Sequence, residues 1–220
     1  MGFHNRRVAG QELGLRLAEW ASDGQLPRPV VLALPRGGVP VAAEVARALG
    51  VPLDVLVARK IGSPGRPEAG IGAVVGDDPP LYDQRALRGL GLSEDRLVQY
   101  VAREREELKR RALLYRGDRA TPDVEDRTVI LVDDGLATGA TARAALRNLR
   151  HSGPARLVLA VPVGAPGTAA EMRAEADDVV CLLQPSDFRA VGLWYDDFDQ
   201  VSDDDVITIL NGHRAQTSDT

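Results

Sequence analysis

Cysteine occurs once in the 220 residues, at Cys181, so the chain can form no internal disulfide and no cysteine-based zinc cluster. Its place in the apolar run Val179-Val180-Cys181-Leu182-Leu183 suits a buried structural thiol. Lysine is nearly missing too: of 27 lysines and arginines, only Lys60 and Lys109 are lysines. With a net charge of −5, the chain lacks the positive excess that generic binding to nucleic acid or an anionic membrane requires. No segment reaches the ~20 apolar residues of a membrane span. The first residues form no apolar signal region, which points to the cytoplasm. The three histidines, His4, His151 and His213, are scattered and read as surface residues rather than metal ligands. Aromatic residues are scarce and uneven. Four of the nine (three Phe, four Tyr, two Trp) fall within residues 188–198: Phe188, Trp194, Tyr195 and Phe198.

What the chain does have is alternation. Short, β-branched apolar runs at residues 30–34, 53–58, 71–75, 128–132, 156–161 and 178–182 read as strands, with helices at 11–21, 40–49, 141–151 and 167–176 between them. Unbroken runs such as Val129-Ile130-Leu131-Val132 suit strands buried on both faces. Strand-helix-strand repetition implies a three-layer α/β/α sandwich with a mostly parallel sheet and right-handed crossovers. The length fits a single domain spanning 1–220. Its core runs over about 25–183, a long helix is inserted at 93–115, a small C-terminal hood covers about 184–212, and the tail beyond reads as disordered. Ligands of such sheets bind beyond the C-terminal strand ends. From Arg96 to Arg119 eight basic residues face four acids, a local +4 that suits either a solvated helix laced with ion pairs or an anion-binding or partner-binding face.

The chemistry concentrates in Val129-Ile130-Leu131-Val132-Asp133-Asp134-Gly135-Leu136-Ala137-Thr138-Gly139-Ala140-Thr141. A buried strand delivers two carboxylates to its end, and a loop of small residues then enters a helix. Open backbone amides and the positive end of the helix dipole make a phosphate cradle, to which Thr138 and Thr141 add hydroxyls. The acids are wrong for phosphate but right for sugar hydroxyls, so a phosphorylated ribose satisfies both. Absence of a Gly-Lys-Ser/Thr run excludes a Walker loop, and absence of Gly-x-Gly-x-x-Gly after a strand argues against a dinucleotide fold.

This segment resembles the phosphoribosyl-diphosphate signature of the type I phosphoribosyltransferases: four apolar residues, two acids, three variable positions, then Thr-Gly-x-Thr. The resemblance extends over about residues 25–200 and is nearest an uncharacterised bacterial branch. It implies a six-stranded sheet in the order 3-2-1-4-5-6 with strand 3 antiparallel. It also implies a phosphoribosyl site at Asp133, Asp134, Ala137, Thr138, Gly139, Ala140 and Thr141, and a pyrophosphate site at Arg36, Gly37, Gly38, Arg59 and Lys60. Residues 61–70, rich in Gly and Pro, look like the flexible loop that closes over the active site, against the alternative of an inert surface loop.

The implied reaction moves a 5-phosphoribosyl group from phosphoribosyl diphosphate to a nitrogenous acceptor, with pyrophosphate released and Mg2+ carried mainly by the diphosphate. Such a pentosyltransferase of nucleobase salvage needs an oxocarbenium-like transition state held by charge. Arg59, Lys60 and Glu68 are the candidate catalytic residues. Glu68 is the candidate base because Ala137 replaces the Asp of 6-oxopurine transferases. Phe188, Trp194, Tyr195 and Asp197 are candidates for the acceptor, by stacking and by reading ring N–H groups, against the alternative of a small aromatic core. A homodimer is implied by the family. Two other readings stay open: a phosphoribosyl-diphosphate-sensing regulator with little catalysis, which could use the basic helix on RNA, and a hydrolase of the same diphosphate.

Overall fold

The computed structural model describes residues 2–76, 78–117, 119 and 122–218, and the side chains of all of these except 66–69 and 216–218. Five parallel strands form the central sheet in the order β2-β1-β6-β7-β8: β1 is Pro29–Ala33, β2 Leu53–Val55, β6 Thr128–Val132, β7 Arg156–Val163 and β8 Asp178–Leu183. Alternation along each strand sends successive side chains to opposite faces. Val31, Ala33, Ile130, Val132 and Val158 pack toward α1 (Arg6–Ser22) and α2 (Gly38–Leu49). Val30, Leu32, Val129, Leu131 and Leu159 pack toward α5 (Ala140–His151) and α6 (Pro166–Met172). β6 is buried along its whole length, as its apolar run requires.

The predicted sandwich is present, but its edge differs from the expected six-stranded sheet. The run read as one strand over 53–58 breaks after Val55, and the chain resumes as β3 (Ala58–Ser63) in a separate sheet. β3 pairs antiparallel with β4 (Arg66–Val75), and β4 with the short β5 (Leu81–Tyr82). The third strand is therefore antiparallel as expected, yet it joins this three-stranded sheet instead of extending the main one. The expected loop at 61–70 is mostly strand, reversed at Pro64-Gly65 with Gly65 at φ 75°. A Pro-Gly pair between extended runs is a turn signal rather than a loop signal.

A short helix α3 (Gln84–Leu90) and a 3-10 turn at Glu94–Leu97 precede the inserted helix α4 (Val98–Arg116), which buries Val101, Leu108 and Tyr115. Residues expected as the end of the hood and, beyond 212, as a disordered tail form helix α7 (Asp203–Ser218). Val206, Leu210 and His213 recur at helical spacing and are 0%, 1% and 5% exposed, so His213 is an interior residue whose Nε2 lies 2.9 Å from the Val51 carbonyl. Ser202 opens the helix: its amide donates to Asp205 Oδ2 and its hydroxyl accepts from the Asp205 amide. Cys181 is half-buried rather than fully buried as its run suggested, and burial pushes its thiol up to about 11. No helix among the described residues is long and apolar enough to cross a membrane.

Candidate functional site

β6 ends at Val132, and the next two residues stand where the sheet opens. Asp133 Oδ1 accepts the Asp134 amide at 2.9 Å. The following loop is sewn to the end of β7: the Leu136 amide donates to the Val163 carbonyl at 2.8 Å, and the Ala165 amide to Leu136 at 2.9 Å. Thr168 Oγ1 donates to the Ala137 carbonyl at 2.7 Å, fixing the outer turn. Gly139 takes φ 70°, and a β-carbon there would stand 2.7 Å from Thr168 Cγ2, so only glycine fits. From Gly139 the chain enters α5, and no side chain caps that helix. Its first amides are thus open, at the positive end of the dipole, beside exposed Ala137 and Thr138 and half-buried Ala140 and Thr141. An anion of phosphate size fits this description chemically.

The loop after β1 closes against the acids. The Pro35–Arg36 peptide is cis. A β-carbon on Gly37 would stand 2.0 Å from Asp134 Oδ2, and one on Gly38 would stand 2.7 Å from the Val132 carbonyl. Both glycines are there because two strand ends share the space. Arg36 Nη1 lies 3.8 Å from Asp203 Oδ1 at the start of α7, and Arg110 of α4 lies 3.6 Å from Asp203 Oδ2. The Tyr115 hydroxyl donates to Asp203 at 2.5 Å, which with Arg111 and Arg36 holds that carboxyl below its usual range despite burial.

Arg59 and Lys60 are not brought together. Consecutive residues of a strand project to opposite faces. Arg59 turns to α4, where its Nε donates to Glu104 Oε2 at 2.8 Å. Lys60 pairs in register with Ala73, on the face whose Ala58, Ala73 and Val75 pack with α5. Its stem lies over Gly70, where a β-carbon would stand 2.8 Å from Cδ. Glu68 falls on β4, and its side chain lies outside the described residues.

The two acids are poorly solvated. Burial, then the neighbouring charge of Asp134, pushes the Asp133 carboxyl well above the usual range. Burial raises Asp134 as well, opposed mainly by Arg6, whose Nε donates to Asp134 Oδ2 at 2.8 Å. Arg6 and Asp134 side chains are 11% and 16% exposed, and the guanidinium sits 3.7 Å above the Phe198 ring. Arg6 Nη1 also donates to the Asp199 carbonyl at 2.8 Å.

The aromatic residues form a small core around this pair. Tyr195 is 7% exposed, with its ring 5.7 Å from Phe3 and 5.0 Å from Phe198, and its hydroxyl donates to the Asp134 carbonyl at 2.6 Å. That corrects its expected role: an enclosed ring has no face to offer an acceptor. Phe188 and Trp194 are half-buried against the same cluster, while Asp197 is exposed and accepts the Asp199 amide at 3.3 Å. Phe3 reaches the cluster through a parallel bridge to Tyr195. Arg6 also lines a cavity of about 280 Å3, together with Asn5, Arg7, Asp197, Gln200 and Ile209.

Arg6, Glu104, Tyr115, Thr168 and Asp203 were not singled out by sequence reasoning. Only Asp203 carried a local signal, at the acidic start of a capped helix. Of the eight basic residues between 96 and 119, five are held internally. Arg105 donates to the Gly76 and Asp78 carbonyls, Arg110 and Arg111 to Glu107, Arg116 to Asp54 and the Val55 carbonyl, and Arg119 to Tyr115. Most of the +4 face is therefore engaged by the chain itself, with three arginines, Arg110, Arg111 and Arg116, in ion pairs. Among the described residues no group of three His, Cys, Asp or Glu side chains could hold a metal ion.

Comparison with known proteins gives the same placement. Residues 11–197 match the family description "Phosphoribosyl transferase domain". A Mycobacterium tuberculosis protein whose name assigns it to the phosphoribosyl transferases is 43% identical over 213 residues, covering 96% of this chain and 47% of its own length. The chain thus spans about half the length of the curated relatives it matches first. A crystal structure from Thermus thermophilus superposes with a TM-score of 0.78 at 46% identity, over 96% of this chain and 98% of that one. A hypoxanthine phosphoribosyltransferase from Staphylococcus aureus shares the fold, with a TM-score of 0.51 at 12% identity, over 86% and 79% of the two chains.

Proposed function

This chain belongs to the phosphoribosyl transferase domain family, and from that premise we propose that it is a pentosyltransferase. It moves a 5-phosphoribosyl group from phosphoribosyl diphosphate to a nitrogenous acceptor, a nucleobase, and releases pyrophosphate. The observation that carries this reading is the junction of Asp133 and Asp134 with the uncapped start of α5. One end of that junction suits the 5-phosphate and the other suits ribose hydroxyls.

The acceptor nitrogen attacks the anomeric carbon as the bond to the diphosphate breaks, so positive charge gathers on the ribose and negative charge on the leaving group. Residues 137–141 hold the phosphate. Asp133 and Asp134 orient the ribose and stand near the developing cation. Arg36 receives the leaving charge, and Arg59 joins it on exchanging Glu104 for the diphosphate, while Lys60 lies on the opposite face of β3. Glu68 takes the acceptor's proton, and Phe188, Trp194 and Asp197 border the acceptor, with Tyr195 supporting them from behind. Mg2+ takes oxygen ligands. The diphosphate would supply most of these, since Asp134 is committed to Arg6 and burial holds the Asp133 carboxyl toward its neutral form. Bound there, the ion would offset charge on the leaving group.

The acceptor class rests on Ala137, whose methyl cannot serve as the purine-side acid of 6-oxopurine transferases. That favours a base other than hypoxanthine or guanine. A second reading, a sensor of phosphoribosyl diphosphate without turnover, draws support from Arg36 and Arg59, both engaged by carboxylates of the chain itself. One experiment separates the two. Protein, phosphoribosyl diphosphate and Mg2+ are incubated with a panel of bases and amines, and pyrophosphate release is followed. Release that depends on one acceptor and is lost in Glu68→Gln supports transfer. Tight binding with no release across the panel supports the sensor, and release without any acceptor supports a hydrolase.

A further inference from the structure

Two adjacent carboxylates at the end of a buried strand pose an electrostatic problem that the motif itself does not solve. Both are largely withdrawn from water, and the charge of Asp134 raises the cost of ionising Asp133, whose own hydrogen bond eases the ionisation of Asp134. To accept a ribose hydroxyl strongly, a carboxyl must be ionised. The groups facing Asp134 are few. Asp133 adjoins it on its own loop, and Gly37 presses on Oδ2 from the start of α2. The Tyr195 hydroxyl, held neutral by burial, binds the Asp134 backbone carbonyl and leaves the carboxylate alone. The only cation touching the Asp134 carboxylate among the described residues is Arg6, 128 residues away in the chain.

Arg6 is itself built into place. Its guanidinium rests on Phe198 at 3.7 Å, and Phe198 stacks on Tyr195, whose hydroxyl holds the residue Arg6 pairs with. Asn5 caps α1 by accepting the Val8 amide at 3.0 Å, which fixes where Arg6 leaves the helix. The segment before it is tied to the same cluster: the Phe3 amide donates to Trp194, and the Asp196 and Asp197 amides donate to Phe3 and His4. The aromatic cluster therefore serves the acids, through Arg6.

We propose that Arg6 is a positioning residue of the ribose site, fixing the Asp134 carboxyl in one orientation so that its Oδ1 accepts a ribose hydroxyl. This rests on the ribose-phosphate reading of the site given above. Its guanidinium is spent on Asp134, the Asp199 carbonyl and the Phe198 ring. It occupies Oδ2, which is also walled off by Gly37, and so leaves one oxygen of defined direction. Without that cation the carboxyl is more easily protonated and turns freely, and a protonated carboxyl can donate where the ribose hydroxyl also donates.

The test is calorimetric titration of ribose 5-phosphate, and separately of inorganic phosphate, into wild type, Arg6→Gln and Arg6→Lys between pH 5.5 and 8.5. Arg6→Gln should bind ribose 5-phosphate about tenfold more weakly at pH 6, the size expected for losing a charged hydrogen-bond acceptor. The deficit should shrink as pH rises, so that the variant's profile lies to higher pH than that of wild type with the same ligand. Arg6→Lys, which keeps the charge, should recover most of the affinity. Inorganic phosphate, which meets only the cradle, should bind all three alike and report that the loop is folded. Equal affinity and an equal pH profile in Arg6→Gln and wild type overturn the proposal alone. A uniform loss at every pH with no rescue by Lys also overturns it, since that is what a merely structural residue would give. Wild type that binds inorganic phosphate but not ribose 5-phosphate overturns the ribose reading of the acids, and the proposal with it.

Discussion

Gly37→Ala is the sharpest probe of how the two strand-end loops meet. The added methyl carbon would stand 2.0 Å from Asp134 Oδ2 and 2.6 Å from Cγ, in a place bounded on the other side by Arg6 Nε at 2.8 Å from the same oxygen. Carbon and oxygen do not approach that closely, so the loop at 35–38 or the carboxylate must yield by about 1 Å or more, at about 1–3 kcal/mol for overpacking. With an unfolding entropy of about 2.1 cal/mol/K per residue, 1 kcal/mol in 220 residues corresponds to about 2 °C, giving a fall in Tm of about 2–6 °C. Displacing the carboxylate should also weaken ribose 5-phosphate about tenfold. Scanning calorimetry and isothermal titration read the two effects. Gly167→Ala is the control: nothing lies within 4 Å of its added methyl in α6, so its Tm should be unchanged or slightly raised. A Gly37→Ala protein with wild-type Tm and wild-type affinity would refute the contact between loop and acid.

Asp133→Asn should raise Tm at pH 7 while weakening ribose 5-phosphate binding about tenfold. A carboxyl whose folded pKa is raised destabilises the fold once the pH exceeds its unfolded value, and the amide keeps the acceptor for the Asp134 amide. The variant's Tm advantage should narrow as pH falls toward 4. Glu104→Gln should tighten pyrophosphate binding about 2–5-fold by freeing Arg59 from a partly exposed pair, as titration would show; weakened binding would mean that Glu104 positions Arg59 instead. Glu107 is lowered to about 2, chiefly by its hydrogen bond with Arg110 and then by Arg111. Its contribution is therefore present above the unfolded value and lost as pH falls through about 2. Glu107→Gln should be less stable than wild type at pH 6 and equal to it near pH 2 in acid-unfolding curves.

The parts of this molecule that could be read from sequence are those whose meaning is local. Four consecutive apolar residues at Val129–Val132 state that both faces of β6 are covered, and two acids followed by small residues state what stands at its end. Helix α5 announces itself by the same logic. The parts that escaped are set by distance in the chain. Arg6 reaches Asp134 and Arg59 reaches Glu104 across 128 and 45 residues, and nothing in their neighbourhoods names the partner. Extended residues at 61–70 carried too much Gly and Pro to read as strand, although pairing with their own continuation across Pro64-Gly65 supplies the hydrogen bonds. In α7 the three aspartates at 203–205 and the polar tail masked an apolar stripe of only Val206, Leu210 and His213. The aromatic cluster was visible as a cluster, but composition cannot tell a ring that faces a ligand from one that supports an arginine.

The tie between Arg6 and the Asp199 carbonyl also orders events in time. These partners are 193 residues apart, and a ribosome adding about 5–20 residues per second separates their appearance by roughly 10–40 s. Until then α1 can form and the strands through β8 can begin to pair, but Arg6 lacks the ring and the carbonyl that hold it beside the acids. The two acids thus gain a fixed cation only once Phe198 and Asp199 have been added, from a residue made 193 positions earlier.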